Sequence, residues 1–343
     1  MAKKAASRVL LLLLPFSLLS ALLFRWRGYL LQLAGSLGKV SLLWFLAAAS
    51  LYFGGVLACA VRWRVSLSYL GFRVGLRDLY LILFGSIFIN NVTPFSRGGA
   101  DPVGRVYLLG RTRRVPYSSA LATTLVDHLF DFPVVLSFLM LGLLLGVPLP
   151  FSPFWLILLW SFLLFLPFLL VLGVVKKKVG VRKVSRFLNS LSRLLRRRRN
   201  FLGSVLRMYR SSEAVLCSWR CVGPILLSSL LIWTLDLLRL SLIFLALGYH
   251  PSLPMLLLAT TLPTLAGLVP FLPGGLVLVE ATMISVFTFF GVPFFTALLA
   301  TLLERAISLV LSTVVGAGVL SYLGLRGGGK KACLLYTSDA ADE

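Results

Sequence analysis

Six apolar runs, at residues 9–24, 40–61, 118–145, 154–175, 222–247 and 294–322, constrain this 343-residue chain more than any other feature. At a rise of about 1.5 Å per residue, all but the shortest, the first, cover the ~30 Å hydrocarbon core of a bilayer as a helix. A water-soluble fold has no interior large enough to bury them. Hydrophobic residues make up 59% of the chain and charged residues only 13%, so the expected class is an all-α polytopic membrane protein. Lys and Arg nevertheless outnumber Asp and Glu by 34 to 11. The basic residues sit between the apolar runs, the pattern of loops facing anionic lipid, and no nucleic-acid partner is expected.

Orientation follows from that basic charge. With the N-terminus inside, the inner segments take Lys3, Lys4, Arg8, Arg62, Arg64 and the densely basic loop 176–220, whereas the outer segments hold only Arg25, Arg27 and Lys39. Both termini are therefore expected to be cytoplasmic, in a multi-pass protein of the plasma membrane. The first run resembles a signal sequence but lacks a small-residue cleavage site before Arg25-Trp26-Arg27, and is read as a retained span. Loop 176–220, with Arg196 to Arg199, is expected to set topology and meet anionic lipid. Residues 1–326 read as a single membrane domain, and the stretch 327–343 reads as a non-native-looking tail. The four cysteines, Cys59, Cys217, Cys221 and Cys333, lack the partners of a metal site and read as ordinary thiols; no metal or cofactor is expected.

Two further apolar regions are interrupted. Residues 79–89 run into Asn90-Asn91-Val92-Thr93-Pro94, and residues 255–268 run into Pro270-Phe271-Leu272-Pro273-Gly274-Gly275. Irregular backbone at membrane depth is tolerated only where protein or a wet cavity satisfies its amides. Both regions are therefore expected to be re-entrant helical hairpins, giving six full spans plus two hairpins, or about eight to ten hydrophobic segments. The Asn-Val-Thr sequon at Asn91 lies inside the first hairpin and is discounted as a glycosylation site.

The hairpins also share sequence. Pro94-Phe95-Ser96-Arg97-Gly98-Gly99 is matched 176 positions later by residues 270–275, and at an offset of 177 Val115-Pro116 matches Val292-Pro293 and Asp127-His128 matches Glu304-Arg305. The first repeat is placed at about 79–145 and the second at about 255–322. In the topology above they are inverted, an architecture typical of secondary transporters with a midplane site. Asp101 as N-cap with Pro102 at N1, and Gly274-Gly275 ahead of the second outgoing helix, aim two helix N-termini at the membrane centre, where they suit an anionic group. The substrate-binding set expected from this is Arg97, Gly98, Gly99, Asp101, Arg105, Gly274, Gly275 and Glu280.

A charge inside the bilayer costs roughly 2.5–3.5 kcal/mol on insertion scales and therefore faces a cavity or an opposite charge. Arg62, Asp127, His128, Asp131, Asp236, Arg239, Glu304 and Arg305 form the expected polar pathway. Asp127 and Asp131 share a helix face at i,i+4, and Asp236 with Arg239 at i,i+3 is set up to pair locally. Trp26, Trp44 and Trp63 read as interfacial anchors.

Arg62-Trp63, the segment Pro94 to Gly99 followed by Asp101 and Arg105, Asp127 with Asp131, and Pro273-Gly274-Gly275 with Glu280 together resemble the flippase-like, lysylphosphatidylglycerol synthase transmembrane family of integral membrane proteins (UPF0104 type). The resemblance covers about residues 5–326. This chain has Asp127-His128 where the family has Glu-Arg, and Val277 where it favours glycine. The resemblance implies a lipid translocase rather than an enzyme, with phospholipid, aminoacyl phospholipid or polyprenyl-phosphate glycolipid as cargo. Two other readings compete: an intramembrane transferase on polyprenyl phosphates, with Asp127 and Asp131 sharing Mg²⁺, and an ion-coupled transporter of a small acid.

Overall fold

The computed structural model describes residues 35, 38, 40–93, 100–147, 207–208, 210–212, 214–216, 218–267 and 275–328. The runs at 9–24 and 154–175, most of the basic loop and the tail from 329 lie outside them. Among the described residues every regular element is helical. The order is α1 (Leu42–Tyr69), α2 (Leu76–Val92), α3 (Ala100–Arg113), α4 (Tyr117–Gly146), α5 (Trp219–Ala246), α6 (Leu253–Ala266), α7 (Leu278–Phe289), α8 (Phe294–Arg305), a π-helical turn (Ala306–Leu311) and α9 (Ser312–Gly328). Among the described residues, four helices are long and apolar enough to cross a membrane: α1, α4, α5 and the continuous rod of α8, the π turn and α9. The interrupted regions form pairs of shorter helices, α2 with α3 and α6 with α7, joined through residues 94–99 and 268–274, which are not described.

The helices fall into two sets with one numbering offset. Adding 177 to both bounds of α1 gives the bounds of α5, and the first residues of α2 and α4 map in the same way onto those of α6 and α8. Even the stops agree. After α1, Gly71 at φ 84° lets Phe72 N–H reach Leu67 O at 3.0 Å; after α5, Gly248 at φ 69° lets Tyr249 N–H reach Phe244 O at 3.0 Å. Both are six-to-one closures that need a left-handed residue past the helix end, and glycine supplies it without Cβ strain. The correspondence extends further toward the N-terminus than the expected bounds of 79 and 255, taking in α1 and α5.

Helices α1 and α5 form the most extensive pairing in the structure, and they run antiparallel. Ser41 N–H at the start of α1 donates to Ala246 O at the end of α5 at 2.9 Å, while Arg62 near the end of α1 meets Ser229 near the start of α5. Antiparallel pairing of equivalent helices is what a twofold axis lying across them produces. The larger of the remaining contacts follow it: α2 packs on α9 as α6 packs on α4, and α2 on α3 as α6 on α7. One apolar cluster gathers around Trp63, Leu79, Phe84 and Leu109 in the first set, another around Phe244, Leu256, Met283 and Phe287 in the second. Leu42, Leu43 and Leu46 on α1, Leu227 and Leu231 on α5 and Val314 on α9 turn outward, an apolar exterior suited to acyl chains rather than water.

The close approach of α2 and α9 depends on Gly316. A Cβ there would lie 2.5 Å from Phe84 O and 2.8 Å from Phe88 Cβ, so backbone has to move to admit it. Gly316→Val is expected to lower stability by about 1–3 kcal/mol, the usual cost of overpacking, read as an earlier unfolding midpoint in detergent. An unchanged midpoint would show that the contact is looser than drawn.

Candidate functional site

Most of the charged residues of the described apolar helices collect in two places along the α1–α5 seam. In the first, the Arg62 guanidinium on α1 is buried between α4 and α5. Its Nη1 donates to Asp131 Oδ1 and, at 2.6 Å, to Ser229 Oγ; its Nη2 donates to Asp131 Oδ2 at 3.2 Å; its Nε lies 3.8 Å from Asp127 Oδ2. Asp127, fully buried, accepts from Ser66 Oγ at 3.0 Å. His128 is more exposed, with Nδ1 3.8 Å from Asp131 Oδ2. The i,i+4 spacing of Asp127 and Asp131 puts both carboxylates on the same face, as expected, and the guanidinium occupies the ground between them. A Mg²⁺ shared by these two acids would have to displace Arg62, which counts against the transferase reading.

The second cluster lies around Arg239 on α5. Its Nη2 is 3.1 Å from Asp236 Oδ1 on the same helix and 3.3 Å from Glu304 Oε1 on α8, and its guanidinium sits over the Tyr52 ring at 5.5 Å. Glu304 also accepts from Ser308 Oγ at 3.1 Å. Ser308 lies in the π-helical turn, a local widening of the helix frequently found at functional sites. A cavity of about 250 Å³ opens beside this cluster, lined by Tyr52, Asn90, Asn91, Asp236, Arg239, Glu304 and Ser308 among others. Asn91 closes one side of it by donating to Ser312 Oγ at 3.0 Å and Thr313 Oγ1 at 2.9 Å, which ties the end of α2 to α9.

The clusters are counterparts. Arg62 and Arg239, Asp127 and Glu304, and Asp131 and Ser308 are each 177 positions apart, and Ser229, which touches Arg62, is 177 from Tyr52, which touches Arg239. Arg62 and Tyr52 are ten residues apart on α1, so the two clusters sit about 15 Å from each other along the helix pair.

The other expected site residues distribute as follows. Arg62, Asp127, His128 and Asp131 come together in the first cluster; Asp236, Arg239 and Glu304 come together in the second. Glu280, expected in the substrate set, and Arg305, expected in the polar pathway, form an ion pair, Nε to Oε1 at 2.6 Å. Arg105 is buried with its guanidinium 5.9 Å over the Trp63 ring, beside the first cluster. Trp63 is no interfacial anchor: it is fully buried and donates through Nε1 to Thr123 Oγ1 at 3.0 Å. Trp44, 41% exposed near the start of α1, fits that role, and Trp26 lies outside the described residues. Ala100 is already helical in α3, so Asp101 lies inside the helix rather than capping it; its side chain is not described. Arg97, Gly98, Gly99 and Gly274 lie outside the described residues, and Gly275, at φ 68°, precedes α7 as expected. Tyr52, Ser66 and Ser229 escaped the sequence reading because neutral residues in apolar runs carry no signal of their own, and Asn90 was read as a helix interruption rather than as a site residue. The offset that links Ser229 to Tyr52 was available, but only once the contacts of Arg62 and Arg239 made those positions matter.

The comparisons with known proteins bear on the whole of this helical body. Residues 7–316 match the family model described as the lysylphosphatidylglycerol synthase TM region. The chain belongs to that family. A UPF0104 membrane protein of Methanothermobacter thermautotrophicus is 32% identical over 307 residues, covering 85% of this chain and 89% of that one. Similar proteins of the same description occur in Methanocaldococcus jannaschii, 28% identical with 75% and 78% covered, and Pyrococcus horikoshii, 26% identical with 82% and 87% covered. No solved structure matches. With the apolar helices, the family places the chain among membrane proteins.

The departure at Val277 from the family's favoured glycine has a structural consequence. Val277 precedes α7 at φ 73° and ψ −53°, a conformation that a β-branched residue adopts only under strain. Val277→Gly is expected to stabilise the protein by about 1 kcal/mol, seen as a later unfolding midpoint. A midpoint that falls would mean that valine packing outweighs the backbone term.

Proposed function

We propose that the chain is a membrane lipid translocase, moving an anionic, glycosylated or aminoacylated lipid head group across the plasma membrane while the acyl chains stay in the bilayer. The observation that carries the reading is the pair of counterpart guanidinium–carboxylate clusters, set about 15 Å apart along the α1–α5 seam, one of them open to a polar cavity. A head group crossing hydrocarbon needs its hydration replaced at more than one depth, because an unpaired charge there is prohibitive. Two polar stations along an apolar helix seam supply that replacement. The family's description, which names a lysyl-phospholipid synthase, supports a lipid as the cargo. In this reading α2–α3 and α6–α7 are re-entrant hairpins, both termini are cytoplasmic, loop 176–220 rests on anionic lipid, and the protein is a transporter rather than an enzyme.

The test is a leaflet-accessibility assay on the full chain in liposomes carrying a phospholipid labelled on its head group. Inner-leaflet label is expected to become accessible to a membrane-impermeant quencher in proteoliposomes and not in empty liposomes. Arg105→Ala combined with Glu304→Ala is expected to remove that access. Transport that persists unchanged in the double variant would overturn the site, and its absence from the unmodified protein would overturn the function.

A further inference from the structure

The two halves hold their buried arginines differently. On Arg62, the Asp131 carboxylate bridges Nη1 and Nη2, and Ser229 takes a further bond from Nη1. On Arg239 both of those acceptors have been replaced. Ser308 stands at the position of Asp131 and gives its hydroxyl hydrogen to Glu304, while Tyr52 stands at the position of Ser229 and offers a ring face in place of an oxygen. The two acids that remain, Asp236 and Glu304, both approach Nη2. Nε and Nη1 of Arg239 are buried with no hydrogen-bond partner among the described residues. Buried guanidinium donors without acceptors are rare and costly, and these belong to a side chain that lines a cavity.

We propose that the cavity beside Arg239 is an oxyanion subsite, in which a phosphate or carboxylate group of a ligand bridges Nη1 and Nη2 of Arg239 as the Asp131 carboxylate bridges those of Arg62. The charge arithmetic allows it. Asp236, which shares Nη2, has a side chain 39% exposed against 11% for Glu304, so it is the carboxylate able to turn away from Nη2 as the ligand arrives. One negative charge enters beside the guanidinium as another leaves, and Glu304 stays in place on α8. Asn90 and Asn91, on the end of α2, line the same cavity and bring amides to its wall. That the oxyanion belongs to a lipid rests on the translocase reading; the subsite itself does not.

The experiment measures binding to the full-length protein in detergent, using inorganic phosphate, a short-chain phosphatidylglycerol and, as a neutral control, a diacylglycerol of the same chain length. Saturable binding of at least one of the two phosphorus compounds is expected, and none of the diacylglycerol. Ser308→Asp restores the missing carboxylate and is expected to weaken binding at least tenfold by occupying Arg239 from within. Arg239→Lys, which keeps the charge but removes the planar fork, is expected to weaken it by a similar factor and serves if the first variant fails to fold. Binding of phosphatidylglycerol alone identifies a lipid head group; binding of phosphate alone keeps the subsite and removes the lipid reading. Failure of both compounds to bind, or binding indifferent to both substitutions, overturns the proposal.

Discussion

Arg62→Gln is expected to destabilise the protein by about 3–5 kcal/mol, the largest effect of any single substitution considered for its stability. The reason is the company that Arg62 keeps. Its guanidinium joins three helices: Asp127 and Asp131 on α4, Ser229 on α5, and its own α1. Glutamine leaves Asp127, fully buried, with Ser66 as its hydrogen-bond donor among the described residues, and leaves Asp131 without its bridging partner. An orphaned carboxylate in an apolar helical body has no water to fall back on. Asp127→Asn is expected to cost less, because Asp131 still neutralises the guanidinium. The two variants are compared by the denaturant needed to unfold them in mixed micelles. A midpoint for Arg62→Gln equal to that of the unmodified protein would show that the cluster does not hold the helices together.

The helices themselves were legible because apolar runs in a membrane protein are long and uninterrupted. The run at 118–145 corresponds to α4 at Tyr117–Gly146, and 222–247 to α5 at Trp219–Ala246. The end of the second run was harder to read. It was expected to stop at Val61, ahead of Arg62 and Arg64, but α1 continues to Tyr69, because Arg62 is neutralised inside the bundle and does not mark an end. The same misreading placed Trp63 at the interface. A charged residue next to a tryptophan looks like a membrane boundary until its partner, some 69 positions away in sequence, is known. Asp127 and Asp131 were recognisable as a pair from their i,i+4 spacing, and Asp236 with Arg239 from i,i+3, since those contacts are set by helix geometry alone. Pairings across helices, Arg62 to Asp131, Arg239 to Glu304 and Arg305 to Glu280, depend on packing that no local pattern encodes. The repeat is the partial exception. Its glycine and proline motifs were visible in residues 94–99 and 270–275, whereas its extension through α1 and α5 is carried by single residues scattered in apolar background.

Glu304→Gln is expected to reduce lipid translocation about 100-fold, whereas Asp236→Asn is expected to change it by less than about threefold. Both acids touch Nη2 of Arg239, so proximity alone predicts equal effects. Their surroundings differ. Glu304 is buried and fixed by Ser308, and it is the charge that stays beside Arg239 when a ligand enters. Without it, Asp236 becomes the sole counter-charge of a buried guanidinium, and displacing Asp236 then exposes an unpaired cation at a cost near 3 kcal/mol, which corresponds to about two powers of ten in rate. Asparagine at 236 instead removes the competitor for Nη2 and leaves the Glu304 pair intact. The leaflet-accessibility assay reads both variants against the unmodified protein at equal reconstitution. If Asp236→Asn is the more damaging of the two, Asp236 holds the cargo rather than yielding to it, and the exchange at Arg239 is wrong.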